Sequence, residues 1–345
     1  MTLSEVLYSL WILIYLRFIR PFIKGFLRIA TGLCQLQRIC YGTHGPSAKR
    51  CLEMEESLVL SRSLVVKRIR NKLVYMGSYE TYETRGFGYQ RLSSDLNDNS
   101  LDEFSDSQLI NYGVEAICLE KKVDQSVHVQ FVSGLRTTLT QLYSYKKLVE
   151  SAEELQKTVF DKTNDYHNQL LINLWNSLLD KNVKHVSGCN DWTRIGFQQE
   201  KDPCSDFRGM GLLGLIQLVF LSREHSPDAR SMLSVSSHPV KGYSFAITGI
   251  NMTQLVLSLL KDGSLRTHLF NESSSSDNHS LSLDDLHKVY SYVYIAFNRF
   301  WIRENPRDVM EFSFLREKFV NFLRNHLEDP EAHLLNWSCP VVEGV

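Results

Sequence analysis

Apolar residues recur at helical spacing through the second two-thirds of the chain. From about residue 109 onward they fall three and four positions apart, which places them on one face of an α-helix. Strand-like alternation is sparse, no hairpin turn separates two apolar runs, and no internal repeat is present. The pattern predicts an all-α fold with helices over 111–123, 135–159, 164–180, 210–224, 243–261, 283–303 and 308–327.

Two earlier stretches lack this spacing. Residues 43–60 are rich in turn formers, and residues 76–108 are rich in Tyr, Ser, Gly, Asp and Asn with little apolar periodicity. Segments of this composition bury too little apolar surface to order themselves. We therefore expect residues 43–108 to be a flexible linker.

The first 42 residues carry a third pattern. Residues 6–16 read VLYSLWILIYL, an almost unbroken apolar run of 11 residues, which as a helix would reach about half-way across a bilayer core. Beyond it, four cations spaced by three, four and four residues share one helix face, with aromatic and aliphatic residues opposite. A basic face beside an apolar face is typical of a helix lying in a membrane interface. The candidate lipid-binding residues are Arg17, Arg20, Lys24 and Arg28.

A signal peptide and a buried core helix are the alternatives for this segment. A secretory signal peptide is disfavoured because Glu5, and no Lys or Arg, precedes the apolar run. A buried core helix is common for apolar runs of about 10–14 residues, but it would not need four aligned cations. We predict a cytoplasmic protein that is peripherally or shallowly anchored on an intracellular membrane, with the endoplasmic reticulum favoured. Whether the helix spans, dips into or lies on the bilayer stays open.

Composition narrows the classes of function. In 345 residues, 43% hydrophobic and 22% charged residues support a packed core and exclude wholesale disorder. The 38 Lys and Arg against 39 Asp and Glu give a net charge of −1, which argues against a nucleic-acid partner. Seven scattered cysteines without a CxxC pair exclude a disulfide scaffold and a zinc ribbon. His185, Cys189 and Cys204 match no zinc spacing, so we predict no metal.

The most informative stretch is Trp192–Gly214, WTRIGFQQEKDPCSDFRGMGLLG. Its glycines at 209, 211 and 214 have the spacing of a dinucleotide fingerprint, but charged residues and Pro203 stand where that motif needs a hydrophobic strand. A Walker phosphate loop is absent as well. The sequence therefore predicts no nucleotide site in this chain itself.

The stretch does place an arginine in an unusual setting. Arg208 follows Asp206 and Phe207, and two glycines separate it from a strongly apolar run. Pro203 and the glycines predict a tight loop that leads directly into a buried helix. Such a loop can hold a guanidinium at a fixed position, with Asp206 as its orienting partner. From spacing alone a purely structural pair is the commoner outcome, with Asp206 as a helix cap and Arg208 in a local salt bridge.

The same stretch resembles the signature of the ELMO-domain family, W-x3-G-F-Q followed by P-x-T-D-F-R-G-x-G-x3-L-x2-L. Further matches are GYSFAITGIN at 242–251, RFWIRENPRDVMEF at 299–312 and CQLQRICY at 34–41, the last being typical of the short ELMOD branch. One residue is inserted before Pro203, and Ser205 stands where Thr is usual, which keeps the hydroxyl.

The resemblance and the change in residue pattern along the chain together predict the domain organisation. A single helical ELMO domain is expected as the main body, after an N-terminal membrane-associating region, a linker and a helical extension, and before a C-terminal tail. The predicted bounds are 1–42 for the membrane region, 43–108 for the linker, 109–164 for the extension, 165–325 for the ELMO domain and 326–345 for the tail.

The ELMOD branch is known for activating GTP hydrolysis by Arf-family GTPases, particularly the Arf-like ones, and its DFRG arginine is regarded as essential. The resemblance therefore implies a regulator rather than an enzyme, which supplies Arg208 in trans to a partner that brings GTP and Mg²⁺. No cofactor of its own is implied. The alternative is an interaction scaffold, as in the larger ELMO proteins of cytoskeletal and engulfment signalling. The intact DFRG and the short chain favour the activator.

The other signature residues are expected to form the loop or touch the GTPase. For the aromatic residues among them, packing is the more common role, since aromatic side chains usually bury. These candidates are Trp192, Gly196, Phe197, Gln198, Pro203, Phe207, Gly209 and Gly211.

Overall fold

A computed structural model describes residues 7–8, 10–11, 14–42, 46–77, 104–179, 191–273, 280–335 and 337–340. Over these residues the chain forms helices and no strand, which confirms the all-α prediction. It divides into two compact units, Met1–Lys146 with Ser273–Ser280, and Lys147–Glu272 with Leu281–Val345. The long helix Val129–Lys157 contributes residues to both units.

The first unit begins with a π-helical turn, Tyr15–Ile19, that continues into the first α-helix. Its helices are α1 (Arg20–Thr31), α2 (Gln35–Gly42), α3 (Ser47–Val59), α4 (Leu64–Leu73) and α5 (Asp106–Lys121), followed by the start of α6 (Val129–Lys157). A Cβ on Gly113 of α5 would lie only 3.0 Å from the Leu73 side chain, so α4 and α5 pack closely.

The prediction of a flexible linker over 43–108 is wrong for residues 47–73. Helix α3 buries Ala48, Cys51, Met54 and Leu58, which are three or four positions apart and so share one face. The hydroxyl of Ser63 accepts the N–H of Val66 and caps α4. Residues 78–103 lie outside the described part of the chain, so the linker there stays a prediction.

The second unit contains the remaining helices, apart from Ser273 at the end of α11. They are α7 (Asp165–Leu178), α8 (Gly211–Glu224), α9 (Ser226–Ser236), α10 (Phe245–Asp262), α11 (Arg266–Ser273), α12 (Leu283–Glu304) and α13 (Phe312–Leu327). Helix α8 packs against α7, α10 and α12 and is buried on nearly every side. It is therefore the centre of this unit, as its unbroken apolar sequence predicts.

Among the described residues, no single helix has both the length and the apolar character to cross a bilayer. The turn Pro203–Gly209 together with α8 reaches that length and composition, but the two are bent by 112°. The residues of α8 are buried in the second unit, where their apolar character serves the core.

The segment after α13 packs onto the second unit. Ala332, Leu334 and Cys339 are buried, and the ring of Trp337 stacks on His326. The side-chain amide of Asn271 donates to the carbonyl of Pro330 at 3.0 Å. The predicted C-terminal tail is thus part of the packed structure through residue 340, with residue 336 outside the described residues.

Candidate functional site

Residues 202–211, which we call the arginine loop, contain a short 3₁₀ turn, Pro203–Gly209, between the capping residue Asp202 and the start of α8. Asp202 caps the turn by accepting the N–H of Cys204 at 3.1 Å, and Pro203 supplies a fixed φ at the first position. Gly211 has φ +51°, in the left-handed region, and starts α8. The predicted tight loop into a buried helix is confirmed.

Arg208 extends from this loop into solvent. Its Nε donates to the carbonyl oxygen of Ser205 at 2.9 Å. Within the described residues, the two terminal nitrogens of its guanidinium have no hydrogen-bond or salt-bridge partner. The Nε side of the guanidinium is thus oriented by its own loop, and its two terminal nitrogens are available to bond another molecule.

Asp206 has a different partner from the one the sequence predicts. Its Oδ2 accepts the backbone N–H of Gln198 at 2.8 Å, and it forms no ion pair with Arg208. The 3₁₀ turn brings the Ser205 carbonyl to Arg208 instead. Asp206 therefore joins the two halves of the signature, W-x3-G-F-Q and D-F-R-G, while the Ser205 carbonyl orients the arginine.

Buried aromatic rings hold the arginine loop in position. Phe207 is 1% exposed, its ring stacks on Phe160 at 6.1 Å, and Phe197 meets it edge-on at 5.5 Å. Phe197 in turn lies edge-on to Trp192 at 5.9 Å. All four rings are buried, as expected of aromatic side chains, so Trp192, Phe197 and Phe207 position the loop from the core.

The glycines of the signature have distinct steric roles. Gly196 has φ +87°, a Cβ there would collide with the backbone N of Phe245, and its carbonyl accepts the N–H of Ile247 at the start of α10. A Cβ at Gly211 would collide with the carbonyl oxygen of Gln156. Gly209 is exposed and has open space around it. Two of the three glycines are therefore required by close backbone contacts.

A flanking segment that the sequence did not single out runs beside the arginine loop in the opposite chain direction. Residues 156–162 join the end of α6 to α7. The contacts are Gln156 Nε2 to Gly209 O at 3.3 Å, Leu212 N to Thr158 O at 2.9 Å, the Phe160 ring on Phe207, and Lys162 Nζ to Asp202 Oδ2 at 2.6 Å. Helical periodicity identifies the helices on either side but carries no signal for these loop contacts.

The thiol of Cys204, in the arginine loop, is unreactive. Burial, reinforced by the bond to Asp202, raises the pKa of Cys204 to about 12. The group is therefore a neutral thiol at physiological pH, and a neutral thiol is a poor nucleophile and a poor metal ligand. His185 and Cys189, considered with it for zinc, lie outside the described residues.

The chain is similar to known proteins over most of its length. Residues 150–316 match the ELMO/CED-12 family. ELMO domain-containing protein 2 of Mus musculus is 33% identical over 326 residues, covering 94% of this chain and 98% of the mouse protein. The chain belongs to the ELMO/CED-12 family. ELMO domain-containing protein 1 of Mus musculus is 31% identical, over 94% of this chain and 92% of the mouse protein. ELMO domain-containing protein B of Dictyostelium discoideum is 30% identical, over 86% of this chain and 90% of that protein. No solved structure matches.

The ELMO/CED-12 match covers the whole of the candidate site. It begins within α6, ahead of the flanking segment, and ends within α13. The second compact unit begins at Lys147, close to the start of the match and ahead of the predicted start at residue 165. The flanking segment is therefore part of the family domain, whereas the sequence alone predicts it within the helical extension, residues 109–164.

Within the described residues, one group of side chains brings potential metal ligands together. Atoms of His268, Glu272 and His333 lie within 4.8 Å of one another. Burial lowers the pKa of His268 to about 4, and its Nδ1 accepts the N–H of Leu334 at 3.2 Å, which engages the lone pair of the neutral ring. His333 Nδ1 bonds to Glu272 at 3.0 Å. These bonds attach the C-terminal segment to α11.

The N-terminal cations do not form a free basic surface. Arg20, whose side chain is 11% exposed, pairs with Glu56 at 3.5 Å. Burial, and then the charge of Arg20, lowers the pKa of Lys24 to about 8. Arg28 donates to the carbonyl of Lys121 at 3.4 Å. Arg17 is exposed.

The apolar face of the same helix is the one that faces solvent. Two of the four predicted lipid-binding cations, Arg20 and Lys24, are partly buried in the first unit, and lipid contact by the basic face stays a prediction. The exposed residues of the apolar face are Phe18, Phe22, Phe26 and Ile29, at 66%, 75%, 63% and 87%.

Proposed function

We propose that this chain is a GTPase-activating protein for Arf-family small GTPases, especially the Arf-like ones, and that it supplies Arg208 in trans. The observation that carries the proposal is the state of Arg208: exposed, held through Nε by the Ser205 carbonyl, and, within the described residues, free at both terminal nitrogens. The class of GTPase comes from the resemblance of the signature. The partner brings GTP and Mg²⁺, and this chain needs no cofactor of its own.

The chemistry of phosphoryl transfer fits such an arginine. Negative charge spreads over the transferring phosphoryl oxygens and the leaving oxygen in the transition state, so a fixed cation placed there lowers the barrier. In other GTPase systems an arginine supplied by a partner is worth about 10³ to 10⁵ in rate. A guanidinium that is already oriented loses less conformational freedom when it enters the GTPase site.

We further propose that the chain works on the cytoplasmic side of an intracellular membrane, with the endoplasmic reticulum favoured. The N-terminal helix supports the membrane contact alone, because it exposes apolar residues beside Arg17 and Arg28. Membrane lipids would then be a second partner, in contact with the first unit.

The test is single-turnover GTP hydrolysis by a panel of Arf and Arf-like GTPases. Wild type is expected to accelerate at least one of them, and Arg208→Lys to abolish most of the acceleration, because an ammonium cannot reproduce the planar fork. Arg223→Lys is the matched control, since Arg223 is also exposed and its Nε bonds to the adjacent Glu224.

The scaffold alternative predicts another result. A chain that binds a GTPase but leaves its hydrolysis rate unchanged would be an interaction scaffold, and Arg208→Lys would then behave like Arg223→Lys.

A further inference from the structure

The flanking segment exposes an apolar side chain directly beside the arginine loop. Val159 is 79% exposed although both of its neighbours are fixed: the Thr158 carbonyl accepts the N–H of Leu212 at the start of α8, and Phe160 stacks on Phe207 of the arginine loop. A valine has one rotatable side-chain bond and is held here on an immobilised backbone. Burying it against a partner therefore costs little conformational entropy.

Tyr166, in the first turn of α7, is a second exposed side chain close along the chain to Val159. It is 59% exposed, and its ring lies 6.1 Å from that of His167. The ring of His167 lies 5.4 Å from Phe160, and its Nδ1 accepts the N–H of Asp161 at 3.0 Å. Tyr166 is thus connected to the arginine loop through the packed rings of His167 and Phe160.

We propose that Val159 and Tyr166, outside the family signature, form the apolar part of the surface that binds the nucleotide-loaded GTPase. This inference rests on the proposed function, because a GTPase that receives Arg208 must also lie against whatever adjoins the arginine loop. Tyr and Arg are enriched among the residues that dominate binding energy, and they act most strongly where water is excluded. In the same flanking segment, the exposed side chain of Lys162 pairs with Asp202 of the arginine loop at 2.6 Å, and this pair would supply the charged rim of such a surface.

The apolar surface and Arg208 are expected to affect different kinetic quantities. Contacts made equally with the GTPase before and during hydrolysis set the concentration of this chain needed for half-maximal acceleration, whereas Arg208 sets the maximal rate. The GTPase must offer an apolar surface next to its bound nucleotide. The two kinds of variant are therefore separable in one assay.

The experiment measures single-turnover hydrolysis against increasing concentrations of the full-length chain. Val159→Ser and Tyr166→Ser are each expected to raise the half-saturating concentration about tenfold while the maximal rate stays within about twofold of wild type. Leu119→Ser and Met310→Ser are matched controls, since these apolar side chains are 82% and 84% exposed and belong to neither loop. Both controls should match wild type.

Three outcomes would overturn the inference. Half-saturating concentrations equal to those of the controls would show that the surface is not in contact. A lower maximal rate at unchanged half-saturation would assign the residues to loop geometry rather than to binding. If wild type binds the GTPase without accelerating it, the proposed function fails. The inference is then tested by the Kd for GTPase loaded with a non-hydrolysable GTP analogue, and Kd values for both variants equal to that of wild type are the third outcome against it.

Discussion

At the scale of single residues, the bond between Asp206 and Gln198 determines how the two halves of the signature are joined. A carboxylate that accepts a backbone N–H forms a charge-assisted hydrogen bond, which is stronger than one between neutral groups. The bond lies beside the packed rings of Phe197 and Phe207. Asp206 therefore stabilises the position of the whole arginine loop rather than the guanidinium alone.

Variants of Asp206 should separate these roles. Asp206→Asn keeps an acceptor oxygen and is expected to retain most of the acceleration. Asp206→Ala removes the bond to the exposed Gln198 N–H, which water can replace, and should cost about 0.5–1.5 kcal/mol in the free energy of unfolding. Urea unfolding and single-turnover hydrolysis measure the two effects. The role given to Asp206 fails if Asp206→Asn is as stable as wild type yet as inactive as Arg208→Lys, because the charge would then act on the arginine.

The sequence specifies part of this site and leaves part open for a physical reason. Proline and glycine spacing indicates the tight loop, and a charged residue before a buried helix has to face solvent, so an exposed Arg208 is predictable. The partner of Asp206 is not predictable, because it depends on how Gly196 approaches the start of α10 and turns Gln198 toward the loop. Such contacts between distant segments leave no trace in local spacing.

At the scale of elements, the start of α8 is determined by its contact with the end of α6. Gly211 combines a left-handed φ with backbone oxygens of Gln156 and Thr158 close to the place a Cβ would occupy. The next residue, Leu212, donates its N–H to the Thr158 carbonyl. One helix start thus depends on a glycine that allows another helix end to approach.

Replacing each glycine of the loop by alanine tests this contact. Gly211→Ala should destabilise the chain by at least about 1–3 kcal/mol, because the left-handed backbone is strained and the added methyl group meets a carbonyl oxygen. Gly209→Ala should be nearly neutral for stability, since nothing lies within 4 Å of the place its methyl group would occupy. Urea unfolding of both variants gives the comparison. Equal losses would mean that the contact with α6 does not restrict Gly211.

The helices that leave little signal in the sequence are short or rich in charge. Helix α9 begins with Ser-Pro and buries only Ala229, Met232 and Leu233, so little apolar periodicity is visible. Helix α3 places lysine, arginine and glutamate between its buried positions, which lowers its apparent hydrophobicity. The long helices α10 and α12 are predictable because their buried faces repeat over many turns, and Gly263 ends α10 in the left-handed conformation that its Asp-Gly sequence indicates.

At the scale of the whole molecule, the N-terminal helix presents its apolar side outward. Four large apolar residues from Phe18 to Ile29 are more than half exposed, and the preceding residues Leu7, Tyr8, Leu10 and Trp11 are exposed as well. Soluble chains rarely keep a continuous apolar surface of this kind in water. The two cations that face the first unit, Arg20 and Lys24, are less available to lipid headgroups than their spacing in the sequence indicates.

This orientation predicts how the chain should bind vesicles. Burial of a phenylalanine in the interface is worth about 1.5–3 kcal/mol, so Phe22→Ser with Phe26→Ser should weaken binding to phosphatidylcholine vesicles at least about a hundredfold in a flotation assay. Leu119→Ser, on another exposed site of the first unit, should bind like wild type. Adding phosphatidylserine should strengthen binding only modestly, since Arg17 and Arg28 are the exposed cations of the helix. Binding that requires anionic lipid and disappears in high salt while surviving loss of both phenylalanines would show that the basic face, not the aromatic face, meets the membrane.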